Sequence, residues 1–357
     1  MSVIRRAEAR PIKFELKNAV GGSGVAAVDV IIVELEDSDG ATGLGFSYVL
    51  GGGGNLALRA AQAQVDTFIV NQKPLAPRAL WTKVVRSFNR TGLGVNLIGL
   101  AAIDTAYWDL HAKRQGLPLA VAMGGEPRDV AVYGSGEFNA QQTPEQAAQI
   151  AIRQAARGFS GVKPRVSGRP SDAKLLTAVR DAVGANVYVM ADANEKCDLA
   201  SAQWLMNVAR DLNVLFVEEP LPASAYDAYT KLAQTAPVAI AAGEHLQDLK
   251  QMVALMANRI VSVIQPDLAM IGGLTPALDL AVVAETFNVV VSPHFLPGLF
   301  VHLAAASSSV RWLEDFPLLE PLFDGWPSMD RHGNMRPAEA AGHGLRLSGE
   351  ALRLLGR

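Results

Sequence analysis

Short apolar runs alternate with helix-like segments from Gly125 onward, and this rhythm limits the possible fold more than any other feature. The runs are rich in β-branched residues, and the segments between them, such as 144–158 and 274–287, have helical apolar spacing. Strands alternating with helices predict an α/β fold, a (β/α)8 TIM-type barrel, although a doubly wound sheet shares the pattern. The eight runs are 130-VAVYG-134, 161-GVKPRV-166, 187-VYVMAD-192, 214-VLFVEE-219, 238-VAIAAGE-244, 261-VSVIQPD-267, 288-NVVVSPH-294 and 310-VRWLE-314.

The segment before the barrel has a different organisation. Residues 26–49 contain two apolar runs joined by Asp39-Gly40, which is a hairpin signal. Two segments with helical spacing follow, at 56–70 and 99–116. The sequence therefore predicts three parts, which are an α+β capping domain over 1–125, a barrel over 126–317 and a C-terminal segment over 318–357 that returns to the capping domain.

Two glycine-rich stretches lie in the capping domain, 20-VGGSG-24 and 50-LGGGGN-55. Neither has the spacing of a phosphate-binding loop. We interpret both as mobile lids that close over a ligand.

Composition narrows the class of protein. Half of the 357 residues are hydrophobic and 19% are charged, so a large core is expected and disorder is not. The net charge of −3, without basic clusters, gives no indication of nucleic-acid binding. The single cysteine, Cys197, excludes a disulfide framework. With no signal-peptide pattern and no long apolar span, the sequence predicts a cytoplasmic protein without a membrane partner.

Ionisable residues end seven consecutive strands of the predicted barrel. Barrel enzymes carry their catalytic residues at the C-terminal ends of the strands. Because unpaired buried charge is costly, one such end has an ordinary structural explanation, but seven in succession predict an active site. In chain order the residues are Lys163 and Arg165, Asp192, Glu218, Glu244, Asp267, His294 and Glu314.

Three of these residues, Asp192, Glu218 and Glu244, are carboxylates on successive strands. A set of hard oxygen ligands without cysteine or histidine predicts Mg²⁺, with Mn²⁺ as a substitute. Glu219 follows Glu218 directly, and we interpret it as a helix N-cap.

Asp267 and His294 end neighbouring strands. An aspartate that binds one imidazole nitrogen fixes the tautomer and raises basicity, so this pair predicts an acid–base group. His302, on a following helix, has no such partner and is interpreted as structural.

In these motifs the chain resembles the enolase superfamily, in particular its mandelate racemase-like subgroup. Each motif is weak by itself, but together and in this order they are specific. The matching segments are 101-AAIDTAYWDL-110, 163-KPR-165, 190-MADAN-194, 217-VEEP-220, 243-GEH-245, 265-QPDLAMIGG-273, 292-SPHF-295 and 312-WLE-314.

The resemblance implies a role for each site residue. It implies a Mg²⁺-dependent enzyme that acts on a small carboxylate through an enolate, and a homo-oligomer, either a dimer or an octamer. The implied positions are metal ligands at Asp192, Glu218 and Glu244, an acid–base His294 paired with Asp267 on one substrate face, Lys163 and Arg165 on the other, a protonated Glu314 that binds the enolate, and substrate contacts at Asn194 and, more loosely, Tyr48. His245 is a candidate for contacting a polyol, with a surface role as the alternative.

The sequence departs from the subgroup at Arg165, where the Lys-x-Lys pattern places its basic lysine. Arginine stays protonated near neutral pH and is a poor base, although its charge is expected to lower the pKa of Lys163. Because a racemase needs a base on each face, this favours dehydration of an acid sugar, an aldonate or aldarate, to a 2-keto-3-deoxy acid. The alternatives are a racemase or epimerase, a Schiff-base aldolase that uses Lys163, and a non-catalytic binding protein.

Overall fold

The structure is a computed structural model, and it describes residues 2–20 and 24–357. Residues 21–23 of the predicted lid 20-VGGSG-24 therefore lie outside the described residues. The second glycine-rich stretch joins a strand to a helix, where Gly51, Gly52 and Gly53 all have positive φ. Glycine suits this connection because residues with a Cβ rarely adopt such angles.

The chain begins with a three-stranded antiparallel sheet covered by helices. Its strands are β1 (Ile4–Val20), β2 (Val25–Asp37) and β3 (Thr42–Leu50), and its helices are α1 (Gly54–Phe68), α2 (Pro77–Val85) and α3 (Gly94–Gln115). A 3₁₀ helix over Arg86–Arg90 joins α2 to α3, and the short α4 (Leu119–Ala122) follows. The predicted hairpin at Asp39-Gly40 is present, because the Asp37 carboxylate accepts hydrogen bonds from the backbone nitrogens of Asp39 and Ala41.

Strand β3 packs directly on helix α3. Gly43 and Gly45 allow this contact, since a Cβ at Gly45 would lie 2.2 Å from the carbonyl oxygen of Ala102. The end of β3 is thereby fixed over the barrel, and this end carries Tyr48.

Eight parallel strands form the second layer, and each pairs with its neighbour in chain order. The last strand pairs with the first, and a parallel bridge between Val291 and Val310 closes the ring. This is the predicted (β/α)8 barrel. Its strands are β4 (Val130–Gly134), β5 (Gly161–Val162), β6 (Tyr188–Asp192), β7 (Val214–Glu218), β8 (Ala239–Ala242), β9 (Val263–Ile264), β10 (Val290–Val291) and β11 (Trp312–Asp315).

Helices follow the barrel strands, and the longer ones surround the barrel and cover the outer faces of its strands. They are α5 (Pro144–Ala156), α6 (Pro170–Val183), α7 (Leu199–Asp211), α8 (Tyr226–Ala233), α9 (Leu249–Ala257), α10 (Leu268–Ile271), α11 (Leu274–Phe287) and α12 (Pro297–Ala306). Inside the ring, the buried side chains of Tyr133, Met190, Phe216 and Val263 pack together. The barrel is therefore a filled core, and its polar chemistry lies at the C-terminal ends of the strands.

Several strands are shorter than the apolar runs predict. Strand β5 ends at Val162, two residues before Pro164, and β9 ends at Ile264, two before Pro266. Proline has no N–H to donate, so the ladder stops there. Single bridges continue it, Arg165 with Asp192 and Asp267 with His294, so the polar residues lie just beyond the strands.

The C-terminal segment contains a 3₁₀ helix (Glu320–Leu322), strands β12 (Phe323–Asp324), β13 (Asn334–Met335) and β14 (Arg346–Leu347), and helix α13 (Gly349–Leu354). It contacts the first sheet: the Phe323 ring lies 4.2 Å from that of Phe46, and His343 Nε2 lies 2.7 Å from the carbonyl oxygen of Leu44. Among the described residues, no helix is long and apolar enough to cross a membrane.

Candidate active site

A cavity of about 420 Å³ lies between the strand ends of the barrel and the end of β3. Of the predicted site residues, Tyr48, Arg165, Asn194, Glu244, His245, Asp267 and His294 line it. Lys163, Asp192, Glu218 and Glu314 are not among the lining residues and are buried.

Lys163 is fully buried and surrounded by carboxylates. Its Nζ lies 2.6 Å from both Glu218 oxygens, 2.9 Å from Glu314 Oε1 and 3.8 Å from Asp192 Oδ2. Burial lowers the pKa of Lys163, and Arg165 adds to this as expected, but Glu218 and Glu314 outweigh both and raise it above its usual value. The lowering effect expected of Arg165 is therefore present, but the two carboxylates decide the direction of the shift.

The neighbours of Glu314 favour its charged form, whereas the resemblance implies a protonated acid at this position. Burial raises its pKa, but Lys163, then His294 and Arg165, lower it to about 2. Its Oε2 accepts a hydrogen bond from the backbone nitrogen of Phe295, which joins the last strand to the loop that carries His294.

Arg165 is buried and forms an ion pair with Asp192. Its Nη2 also donates to Ser135 Oγ at 2.9 Å, and its guanidinium lies 5.8 Å from the Phe316 ring centre. Asn194 supports the same carboxylate, with its backbone nitrogen 2.9 Å from Asp192 Oδ1. Asp192 is thus held by a cation and an amide.

The predicted acid–base pair is present. His294 Nδ1 lies 2.8 Å from Asp267 Oδ2, and the imidazole stacks on Phe295 with ring centres 3.5 Å apart. Asp267 Oδ1 caps helix α10 by accepting from the backbone nitrogen of Met270. Tyr48, from the capping sheet, donates its hydroxyl to the same Asp267 Oδ2. The aspartate therefore has a fixed orientation, and it in turn orients the imidazole.

The other imidazole nitrogen, His294 Nε2, lies 3.6 Å from Glu244 Oε2. Burial lowers the pKa of His294, but Glu244 and the bond to Asp267 raise it to about 9. Burial raises the pKa of Glu244 to about 8, against the opposing effect of His294. Both groups therefore have raised pKa values, and both line the cavity.

His245 and Glu219 form a second pair beside the predicted metal ligands. His245 Nδ1 lies 2.8 Å from Glu219 Oε1, and this bond raises the His245 pKa to about 9. The N-cap interpretation of Glu219 is wrong, because helix α8 begins after Ala225 and the Glu219 side chain points to His245 instead. With Glu195, these residues place ligand atoms within 4.8 Å of one another.

Among the described residues, the predicted metal ligands Asp192, Glu218 and Glu244 do not bring their ligand atoms within 4.8 Å of one another. Lys163 and Arg165 hold two of the carboxylates. The set nevertheless fits a hard divalent ion, since it consists of carboxylates on adjacent strands, and the buried Glu244 Oε2 has no hydrogen-bond partner.

Backbone strain is concentrated at these strand ends. Asn194, Glu195, Glu219, Phe295 and Leu296 all have positive φ. Such angles cost about 1–3 kcal/mol for a residue with a Cβ, and they are common at functional sites. They turn the chain sharply after the strands, which directs several side chains toward the cavity.

Sequence reasoning missed several polar residues at the site, among them Gln265, Ser135, Glu195 and Lys196. Gln265 is fully buried and donates from Nε2 to Glu218 Oε2 at 2.6 Å, and Ser135 accepts from Arg165. The available signal was a polar residue at the end of an apolar strand run. Gln265 and Ser135 have no ionisable group, so the pattern of ionisable strand ends does not include them.

Comparison with known proteins agrees with this geometry. The family model for the mandelate racemase/muconate lactonizing enzyme N-terminal domain matches residues 1–124, and the enolase C-terminal domain-like model matches 145–351. L-talarate/galactarate dehydratase of Salmonella typhimurium is 33% identical over 91% of this chain and 82% of its own length. D-galactarolactone cycloisomerase of Agrobacterium fabrum is 28% identical over 82% of this chain and 79% of its own.

Solved structures give the same result. L-talarate dehydratase from Polaromonas, complexed with Mg and L-glucarate, superposes with a TM-score of 0.91 at 30% identity, covering 99% of this chain and 97% of that one. The barrel, its cap and the Asp–His pair define an enzyme of the enolase class. The chain belongs to the mandelate racemase/muconate lactonizing enzyme family of the enolase superfamily.

Proposed function

We propose that this enzyme dehydrates an acid sugar to a 2-keto-3-deoxy acid, with His294 as its single acid–base group. One observation carries the proposal: the Asp267–His294 pair lines the cavity, whereas Arg165 is ion-paired to Asp192 and Lys163 is enclosed by carboxylates. Dehydration can proceed with one such group, while racemisation needs one on each face. The named relatives, which include dehydratases of acid sugars, support this choice.

Asp192, Glu218 and Glu244 would hold Mg²⁺. When bound, the ion supplies positive charge to the substrate carboxylate, where negative charge develops as the α-proton leaves, and it offsets the Glu244 charge that raises the His294 pKa.

In the proposed reaction, His294 accepts one proton from the substrate and later returns it. Its Nε2 takes the α-proton, and the C–H electron pair forms the double bond to the carboxylate carbon. The resulting imidazolium gives the proton to the β-hydroxyl, the electron pair moves to form the Cα=Cβ double bond, the C–O bond breaks, and water leaves. The enol that remains tautomerises to the 2-keto acid, so no oxidant or reductant is needed.

The other residues have supporting roles in this proposal. Arg165 and Lys163 stabilise negative charge on the opposite face, Glu314 holds Lys163 in place through their ion pair, and Asn194 contacts the substrate near Asp192. His245 is a candidate for contacting a hydroxyl, because it lines the cavity and its side chain is 49% exposed. From the resemblance we also propose a homo-oligomer, and from the composition a cytoplasmic location.

The test is to incubate the purified enzyme and Mg²⁺ with a library of aldonates and aldarates and to measure 2-keto acids as semicarbazones. We expect at least one acid to be converted, and conversion to stop on addition of a chelator. Deuterium exchange at Cα without keto acid would identify a racemase or epimerase instead. Borohydride trapping of substrate on Lys163 would identify an aldolase, and a ligand recovered unchanged without exchange would indicate a binding protein.

A further inference from the structure

The two sides of the cavity differ in chemistry. Every ionisable lining residue comes from loops that follow barrel strands. These are Arg165, Glu195, Lys196, Glu244, His245, Asp267 and His294. The described part of the capping domain contributes Val25, Tyr48, Val49, Leu50 and Ile98.

Tyr48 is the polar member of the capping-domain set, and its hydroxyl is already bonded to Asp267. Met270, from α10, and Leu318, from the C-terminal segment, extend this apolar surface. We call Val25, Leu50, Ile98, Met270 and Leu318 the cap-side wall. Among the described residues, the capping domain contributes no charged side chain to the lining of the cavity.

The cations of the cavity are committed on the barrel side. Arg165 is paired with Asp192, His294 with Asp267, and His245 with Glu219. Lys196 also lines the cavity, from the loop after β6. A variant at this position must therefore show that Lys196 does not bind a second carboxylate of the substrate.

Resting on the proposed function, we infer that the substrate is a monocarboxylic acid sugar whose remote end is uncharged and carbon-rich, and that this end lies against the cap-side wall. A carboxylate placed there would lose its hydration without gaining a partner, whereas a methyl group would gain apolar contact. This inference separates the chain from the solved L-talarate dehydratase, which is complexed with L-glucarate.

Binding tests the inference without turnover. The His294→Asn variant is loaded with Mg²⁺ and titrated by calorimetry with three acids of one configuration, which differ only in a terminal methyl, hydroxymethyl or carboxylate group, in several configurations. We expect the methyl acid to bind at least about tenfold more tightly than the dicarboxylate, with the hydroxymethyl acid between them. Equal or tighter binding of the dicarboxylate overturns the inference.

Three variants locate the effect. Leu50→Arg adds a cation to the cap-side wall and is expected to narrow or reverse the ratio of affinities, while Leu50→Met, the matched control, keeps it. Lys196→Met is expected to leave the ratio unchanged, and a loss of dicarboxylate affinity in this variant alone contradicts the inference. The proposed function is judged separately, because a wild-type enzyme that forms no 2-keto acid from any of the acids contradicts dehydration whatever the affinities are.

Discussion

Arg165 shows how a single residue changes the chemistry that a strand end can perform. A lysine in this position can lose its proton, but the guanidinium keeps its charge, and it binds Asp192 through Nη1 and Ser135 through Nη2. The sequence alone was enough to predict that Arg165 is a poor base. It could not predict the partner of Lys163, because Glu218 and Glu314 approach it from two other strands.

His294→Asn is the direct test at this scale. Asparagine can keep a hydrogen bond to Asp267 but cannot carry a proton, so we expect kcat to fall by at least about a hundredfold. Mg²⁺ affinity, measured by calorimetry, should be retained because the carboxylates are unchanged. The exposed His332, changed to Asn, is the matched control. Retained turnover in His294→Asn would transfer the role of base to Lys163.

Tyr48→Phe separates two roles for the capping-domain tyrosine. If the hydroxyl positions the Asp267–His294 pair, its loss should lower kcat about tenfold with little change in KM, since one hydrogen bond to a carboxylate is removed. If Tyr48 contacts the substrate, as the resemblance implies, KM should rise instead. The downfield proton signal of the His294 Nδ1–H group, assigned by its loss in His294→Asn, should shift in the first case only.

At the scale of elements, the sequence predicted the order of the strands well. Periodicity and β-branched content identify strand segments locally, and helix α11 has the bounds that the spacing predicts. The predicted strands are longer than the observed ones, because the prolines after Lys163 and Gln265 end the hydrogen-bonded ladders. The pairing of Glu219 with His245 was missed, since it depends on the turn of two neighbouring loops and not on either sequence segment.

Gly45→Ala tests the contact between β3 and α3. The added methyl would overlap the backbone of Ala102 and Ala106, so we expect a loss of about 1–3 kcal/mol in the free energy of unfolding. Gly349→Ala is the matched control, because nothing lies within 4 Å of a Cβ there. Urea unfolding followed by circular dichroism measures both. An unchanged Gly45→Ala variant would show that the two elements can separate without cost.

For the whole molecule, the alternation of strands and helices left both a closed barrel and an open sheet possible. Closure is visible only in three dimensions, where β11 pairs with β4 and Val310 with Val291. The seven ionisable strand ends were informative because closure brings them to one face.

His302 makes the stability of the fold depend on pH. It is fully buried, and burial, with a contribution from His343, lowers its pKa to about 3 from 6.5. Below pH 6.5 the unfolded chain takes up a proton that the folded chain does not, so stability falls as the pH falls. Between pH 7 and 5 this residue should cost about 2 kcal/mol of unfolding free energy.

The His302→Leu variant should lose that dependence. Urea unfolding at pH 7 and at pH 5 gives the difference for each protein, and His332→Asn serves as an exposed control. If wild type and His302→Leu show the same pH slope, the imidazole is protonated in the folded state and the assignment is wrong.

The hydrogen bond from Tyr48 to Asp267 has a consequence for engineering. Grafting the cap of a relative onto this barrel would also replace the hydroxyl that is bonded to Asp267, the aspartate that orients the His294 imidazole. Chimeras made from this chain should therefore keep a tyrosine at position 48, even where every neighbouring cap residue is exchanged.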